Sequence, residues 1–168
     1  MQHAHAEPKP RSAAGTPMGS IVNRSLSLVA RLQRRLAWLP PTAARFTVGW
    51  IFLQSGWGKL NNLEGVTNFF TELGIPAPHL QAPLVAGTEF LGGALVLLGL
   101  GTRFASIPLM GVMTVALLTA LRDQIHELSD LFGLAEFCYI VLLAGLAVFG
   151  AGPLSLDTLL RRRLAAKF

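Results

Sequence analysis

Glu89 is the one charged residue in the apolar run 82–100. As a helix, that run is about long enough to cross the hydrocarbon core of a bilayer. A carboxylate at that depth is costly unless it is protonated, paired or wetted. Lys59, at the end of the preceding apolar block 43–60, is the natural partner. Two consecutive antiparallel helices would set the pair at similar depth. Ser55, Phe52 and Gly56 share the helical face of Lys59, while Val85, Ala86, Gly92 and Gly93 flank Glu89 by one turn. Small residues on such stripes let neighbouring helices approach closely. Glu136, just inside the block 131–150, is a second acid at the same level, and Gln54 lies deeper on another part of block 43–60. Two carboxylates beside one ammonium tend to keep a proton on one acid. Such a group can hold a quinone-like or other small lipophilic ligand: Lys59 donates to a carbonyl and Glu89 accepts a proton. Trp57, one turn from the end of its block, serves either as an interfacial anchor or as a stacking surface for such a ring. The same charged pair can also do no more than fix helix register.

A second constellation is Asp123, His126, Glu127 and Asp130, spaced at three, four and seven. On a helix these residues share a face, and an imidazole with carboxylates suits a divalent cation or a proton relay. His126, Glu127 and Asp130 are the candidate metal set, although a solvated helix end has the same pattern. His3 and His5 sit in a polar tail. The single cysteine, Cys138, excludes an intramolecular disulfide and a multi-cysteine metal site. It is expected as a small buried hydrophobe. No phosphate loop, dinucleotide glycine fingerprint, serine elbow or zinc spacing occurs, and no cleavable signal peptide is expected.

The elements that must position these residues follow from composition. The chain is 52% hydrophobic and 14% charged, with mean hydropathy +0.51; soluble domains carry about a quarter charged residues. The apolar excess gathers into four blocks, 43–60, 82–100, 104–121 and 131–150. The expected fold is all-α, a four-transmembrane-helix bundle with an N-terminal cytoplasmic amphipathic helix. Residues 1–20 are expected as a disordered tail and 21–41 as a basic amphipathic interfacial helix. The membrane domain is 42–152, and 153–168 is a basic cytoplasmic tail. Pro40-Pro41 is expected to end the amphipathic helix. Residues 65–73 form a short amphipathic stretch, with Val66, Phe69, Phe70 and Leu73 on one face, placed as a lid over the outer end. The net charge of +5 gathers before the first block, after the last, and at Arg103 between the second and third. That distribution puts both termini inside and argues for a lipid bilayer, not nucleic acid, as partner.

The segment 45–60, with Gly49-Trp50, Gln54-Ser55-Gly56-Trp57 and Lys59, resembles the opening of DoxX family membrane proteins. The looser run 74–78, then Glu89-Phe90-Leu91-Gly92-Gly93 and Gly99-Leu100-Gly101-Thr102-Arg103, is similar to that family's later landmarks. The resemblance covers about 45–150. It implies a multi-pass bacterial inner-membrane protein, with Lys59 and Glu89 at the family's charged positions and Arg103 in its cytoplasmic turn. It also implies a link to redox or thiol-stress systems, alongside a partner membrane or redox protein, but no catalytic residue. The leading expectation is an accessory redox subunit with a quinone-like ligand. The alternatives are a metal or small-solute transport component, which as a homo-oligomer would gather enough spans, and a structural subunit without chemistry.

Overall fold

The computed structural model describes residues 17–165, with side chains for all of these except 17–25, 28, 161 and 164. Most of the expected tail, including His3 and His5, and residues 166–168 lie outside them. All regular structure among the described residues is helical. The chain forms two units, 1–36 and 37–168.

The first unit contributes α1, Pro17–Leu36. It begins within the stretch expected as tail. Val29, Leu32 and Leu36 recur at helical spacing and are exposed, as are Arg31, Arg34 and Arg35.

The second unit holds α2, Leu39–Asn61; α3, Leu63–Glu72; α4, Pro78–Leu98; and α5, Thr102–Leu118. A 3-10 turn at Arg122–Gln124 leads to α6, Leu128–Gly133, then α7, Ala135–Phe149, and α8, Leu156–Ala165. Pro40 and Pro41 do not end α1, which stops at Leu36. They open α2, where a missing N–H is not needed by the helix ladder. The expected block 131–150 is broken: Leu134 is extended, at φ −82° and ψ 134°, and separates α6 from α7. The expected basic tail also differs. Most of its described part is the helix α8, and Asp157 in the first turn of α8 accepts from Gly101 N–H at 3.1 and 3.0 Å.

Helix α4 shows how the sequence builds the bundle. It buries Ala82, Ala86, Glu89, Gly92, Gly93 and Val96, and it exposes Leu84, Leu91, Leu95 and Leu98. Small and charged residues face inward while leucines face outward, the reverse of a helix in a water-soluble core. Helix α2 likewise buries Arg45, Gly49, Phe52 and Gly56 and exposes Phe46, Trp50 and Trp57. The two helices meet through glycines. A Cβ on Gly49 would lie 2.7 Å from the Leu97 backbone nitrogen, and one on Gly93 would lie 2.5 Å from that of Leu53. A Cβ on Gly56 would overlap the Phe90 backbone. Gly92 faces a different neighbour, the Leu109 side chain of α5. Adjacent glycines thus admit two helices on two sides of α4. Beyond this seam, Val48, Phe52, Val96, Leu109, Leu143 and Leu146 form the shared apolar core of α2, α4, α5 and α7.

Of the described helices, α4 alone is long and apolar enough to cross a membrane by its own length and composition. Helices α5 and α7 are apolar but shorter, at 17 and 15 residues. At 1.5 Å per residue they reach only about 26 and 23 Å, short of the roughly 30 Å hydrocarbon core. Helix α2 is long enough but carries Arg45, Gln54 and Lys59.

Between α5 and α7, Asp130 Oδ2 accepts from the backbone N–H groups of His126 and Glu127, each at 3.0 Å. Those bonds, Glu127 first, hold its carboxyl below the ordinary carboxylate range, with a smaller contribution from the His126 charge. The cap is therefore intact above that range and is lost as pH falls through the lowered value. Amide chemical shifts of His126 and Glu127 should titrate together below the range of ordinary carboxylates. Midpoints within that range would remove the cap's role.

Candidate functional site

The glycine seam sets α2 and α4 close enough for their polar side chains to meet inside the bundle. Glu89 is 0% exposed. Its Oε1 is paired with the Lys59 ammonium, and its Oε2 accepts from Ser55 Oγ at 2.8 Å. Both carboxylate oxygens are thus satisfied, which burial of a charge demands. The Lys59 side chain is 30% exposed. It spans the distance between the buried acid and the space beyond. Ser55 lies one turn before Lys59 on the same face.

That space is a cavity of about 340 Å³. Lys59 and Glu89 are the charged groups in its wall, which is otherwise mostly apolar. Val66, Phe69, Phe70 and Leu73, from α3 and its C-cap, form one side. Leu84 and Val85 of α4 and Val112 and Ala116 of α5 form the others. Asn62 directs α3 into place, because its side-chain oxygen accepts from Gly65 N–H at 3.2 Å and caps the helix start. Gly74, at φ 68°, then turns the chain back towards α4.

The other sequence candidates are placed elsewhere. Gln54 is exposed, on a different face of α2 from Lys59. Trp57 is 59% exposed and its ring lies 5.7 Å from that of Phe90, outside the cavity wall. Glu136 is half-buried in the first turn of α7, where a helix N-terminus favours an acid, and does not join the Lys59–Glu89 pair. Cys138 is exposed, not buried as a small core residue. His126, Glu127 and Asp130 do not gather as a metal set: among the described residues no three His, Cys, Asp or Glu side chains do so. Asp130 is instead committed to the backbone of its own turn.

Sequence reasoning gave Arg45 no place in the interior of the bundle. In the structure it is 3% exposed and donates to the carbonyls of Ala151 and Leu154. The signal was present: Arg45, Gly49, Phe52 and Gly56 recur at helical spacing, so Arg45 belongs to the buried stripe of α2.

The family profile for DoxX matches residues 41–122, the stretch that carries the Lys59–Glu89 pair, the glycine seam and the α4–α5 turn. CatD of Bacillus subtilis (strain 168), provisionally named an oxidoreductase, is 34% identical over 115 residues, 67% of this chain and 81% of that protein. The chain belongs to the DoxX family. The inner membrane protein YqjF of Escherichia coli (strain K12) is 29% identical over 123 residues, 71% of this chain and 91% of that protein. A Mycobacterium tuberculosis membrane protein is 33% identical over 140 residues, 76% of this chain and 86% of its own length. No solved structure matches the chain. As a DoxX-family membrane protein, the chain contacts the lipid bilayer. The leucines that α4 turns outward suit that contact.

Proposed function

We propose that this DoxX-family protein is a redox-linked membrane subunit that holds a quinone-like or similar small lipophilic ligand in the cavity beside Lys59 and Glu89. The single observation that carries the reading is the meeting of an apolar cavity with one buried ion pair. Ligand sites are typically apolar clefts with a few polar groups that fix orientation. The cavity volume of about 340 Å³ suits a single ring with its substituents. Lys59 would donate to a ring carbonyl, and Glu89, released from Lys59, would take or give a proton. Electrons would come from a partner redox protein, and α3 would act as the lid. Glu136, Gln54 and Trp57 would be left out of the site, and so would the His126, Glu127 and Asp130 set.

In this reading α2, α4, α5 and α7 cross a bacterial inner membrane as four spans. Both termini are cytoplasmic, and α1 lies on the membrane surface through its Val29, Leu32 and Leu36 stripe. The CatD name supports the redox link and the YqjF name the location.

A specific observation favours a second reading. Glu89 already has both oxygens satisfied by Lys59 and Ser55, as a purely structural lock would require. Quinone binding to the purified protein separates the two. A water-soluble ubiquinone analogue should bind saturably, and Lys59→Ala and Glu89→Gln should each weaken it about tenfold, the loss of one charge-assisted hydrogen bond. Unchanged affinity in both variants would sink the site.

A further inference from the structure

At the opposite end of α2 lies a second buried charge, which the proposed ligand site does not use. Arg45 Nη1 and Nη2 donate to the carbonyls of Ala151 and Leu154 at 3.2 and 2.7 Å. Its Nε is buried and has no partner. A guanidinium carries five N–H donors, so the two carbonyls leave it undersatisfied. The Phe46 ring, its centroid 5.2 Å from the guanidinium carbon, adds a cation–π contact but no anionic charge. No carboxylate forms an ion pair with Arg45 among the described residues. Asp157, the acid of this end, is turned to Gly101 N–H instead. A buried cation without an anion is costly.

Beside Arg45 opens a cavity of about 640 Å³. Arg162, Ser155 and Thr158 supply the rest of its polar wall, while Leu97, Leu98 and Leu159 supply an apolar one. Arg162 is exposed and makes no ion pair among the described residues. Two arginines with free donors suit a phosphate group, whose oxygens match the guanidinium fork. A free phosphate has no use for the leucine wall, whereas a phospholipid has a use for both.

We propose that this cavity binds an anionic membrane phospholipid, its phosphate between Arg45 and Arg162 and an acyl chain along Leu97, Leu98 and Leu159. The bound phosphate would supply the anion that Arg45 lacks. It would also tie α8 and the 151–155 loop to the start of α2. Membrane-family membership is all this requires; the quinone reading can fail without touching it.

Native mass spectrometry of the detergent-solubilised full chain tests the proposal, with phosphatidylglycerol, phosphatidylcholine and inorganic phosphate as probes. Phosphatidylglycerol should bind saturably and at least tenfold tighter than phosphatidylcholine. Arg162→Gln, an exposed change, should weaken it about fivefold with an unaltered melting temperature. Arg163→Gln, on the same helix but outside the cavity, should leave it unchanged. Equal weakening by the two variants would show diffuse attraction to basic residues and overturn the site. Equal binding of the two lipids would do the same. Inorganic phosphate that binds as tightly as phosphatidylglycerol would overturn the lipid assignment.

Discussion

Gly93→Ala should destabilise the bundle by about 3 kcal/mol or more, while Gly87→Ala, six residues earlier on the same helix, should cost nothing. A Cβ on Gly93 would lie 2.5 Å from Leu53 N, 2.9 Å from the Phe52 carbonyl carbon and 3.0 Å from Gly49 O. All three are backbone atoms, so no side-chain rotamer can relieve the overlap and α2 must move as a body. Overpacking relieved by side-chain and backbone shifts costs about 1–3 kcal/mol, occasionally more. The backbone case belongs at or above the top of that range. A Cβ on Gly87 would meet open space, and exchange of glycine for alanine within a helix gains about 0.5–1 kcal/mol. Thermal melts of the two variants in one detergent should move in opposite directions. Equal melting temperatures would mean that α2 and α4 do not meet at this seam. The effect should also reach the site, because the seam sets the separation of Lys59 from Glu89.

The sequence exposed the seam and the pair for one physical reason. Charge and glycine are both expensive inside an apolar helix, so a run that keeps Glu89, Gly92 and Gly93 must have a use for them on an inward face. Their partners on α2 were legible from the same helical spacing. The amphipathic face of Val66, Phe69, Phe70 and Leu73 was legible too, and all four residues line one cavity. The other polar residues were harder to place because periodicity assigns a face only when the helix is continuous. Glu136 was read within an unbroken block 131–150, but the break at Leu134 makes it the first turn of a new helix. The ordered helix after 155 was hidden by its basic composition. Long-range bonds, from Gly101 N–H to Asp157 and from Arg45 to Ala151 and Leu154, hold that end together. They join residues more than fifty positions apart, which no local pattern displays. Similarly, the spacing of His126, Glu127 and Asp130 could not reveal that Asp130 bonds its own backbone.

Lys59→Ala should destabilise the bundle by about 3–5 kcal/mol, because it strips the ion-pair partner from a carboxylate that is 0% exposed. Ser55 would remain as its one hydrogen-bond donor, and a hydroxyl does not neutralise a charge. The paired change Lys59→Met with Glu89→Leu removes both charges and keeps the volume. Replacement of a buried ion pair by apolar residues is often neutral or stabilising by about 1–4 kcal/mol, so the double variant should melt at or above the unaltered protein. Recovery of stability with loss of quinone-analogue binding assigns the pair a role beyond the fold. Recovery of both assigns Lys59 and Glu89 to helix register alone and ends the ligand-site reading. A double variant as unstable as Lys59→Ala would contradict the premise that an unpaired buried charge is the cause. The double variant thus separates what the pair does for folding from what it does for a ligand. The single variants test the site through binding alone, because each also leaves one charge behind in an apolar wall.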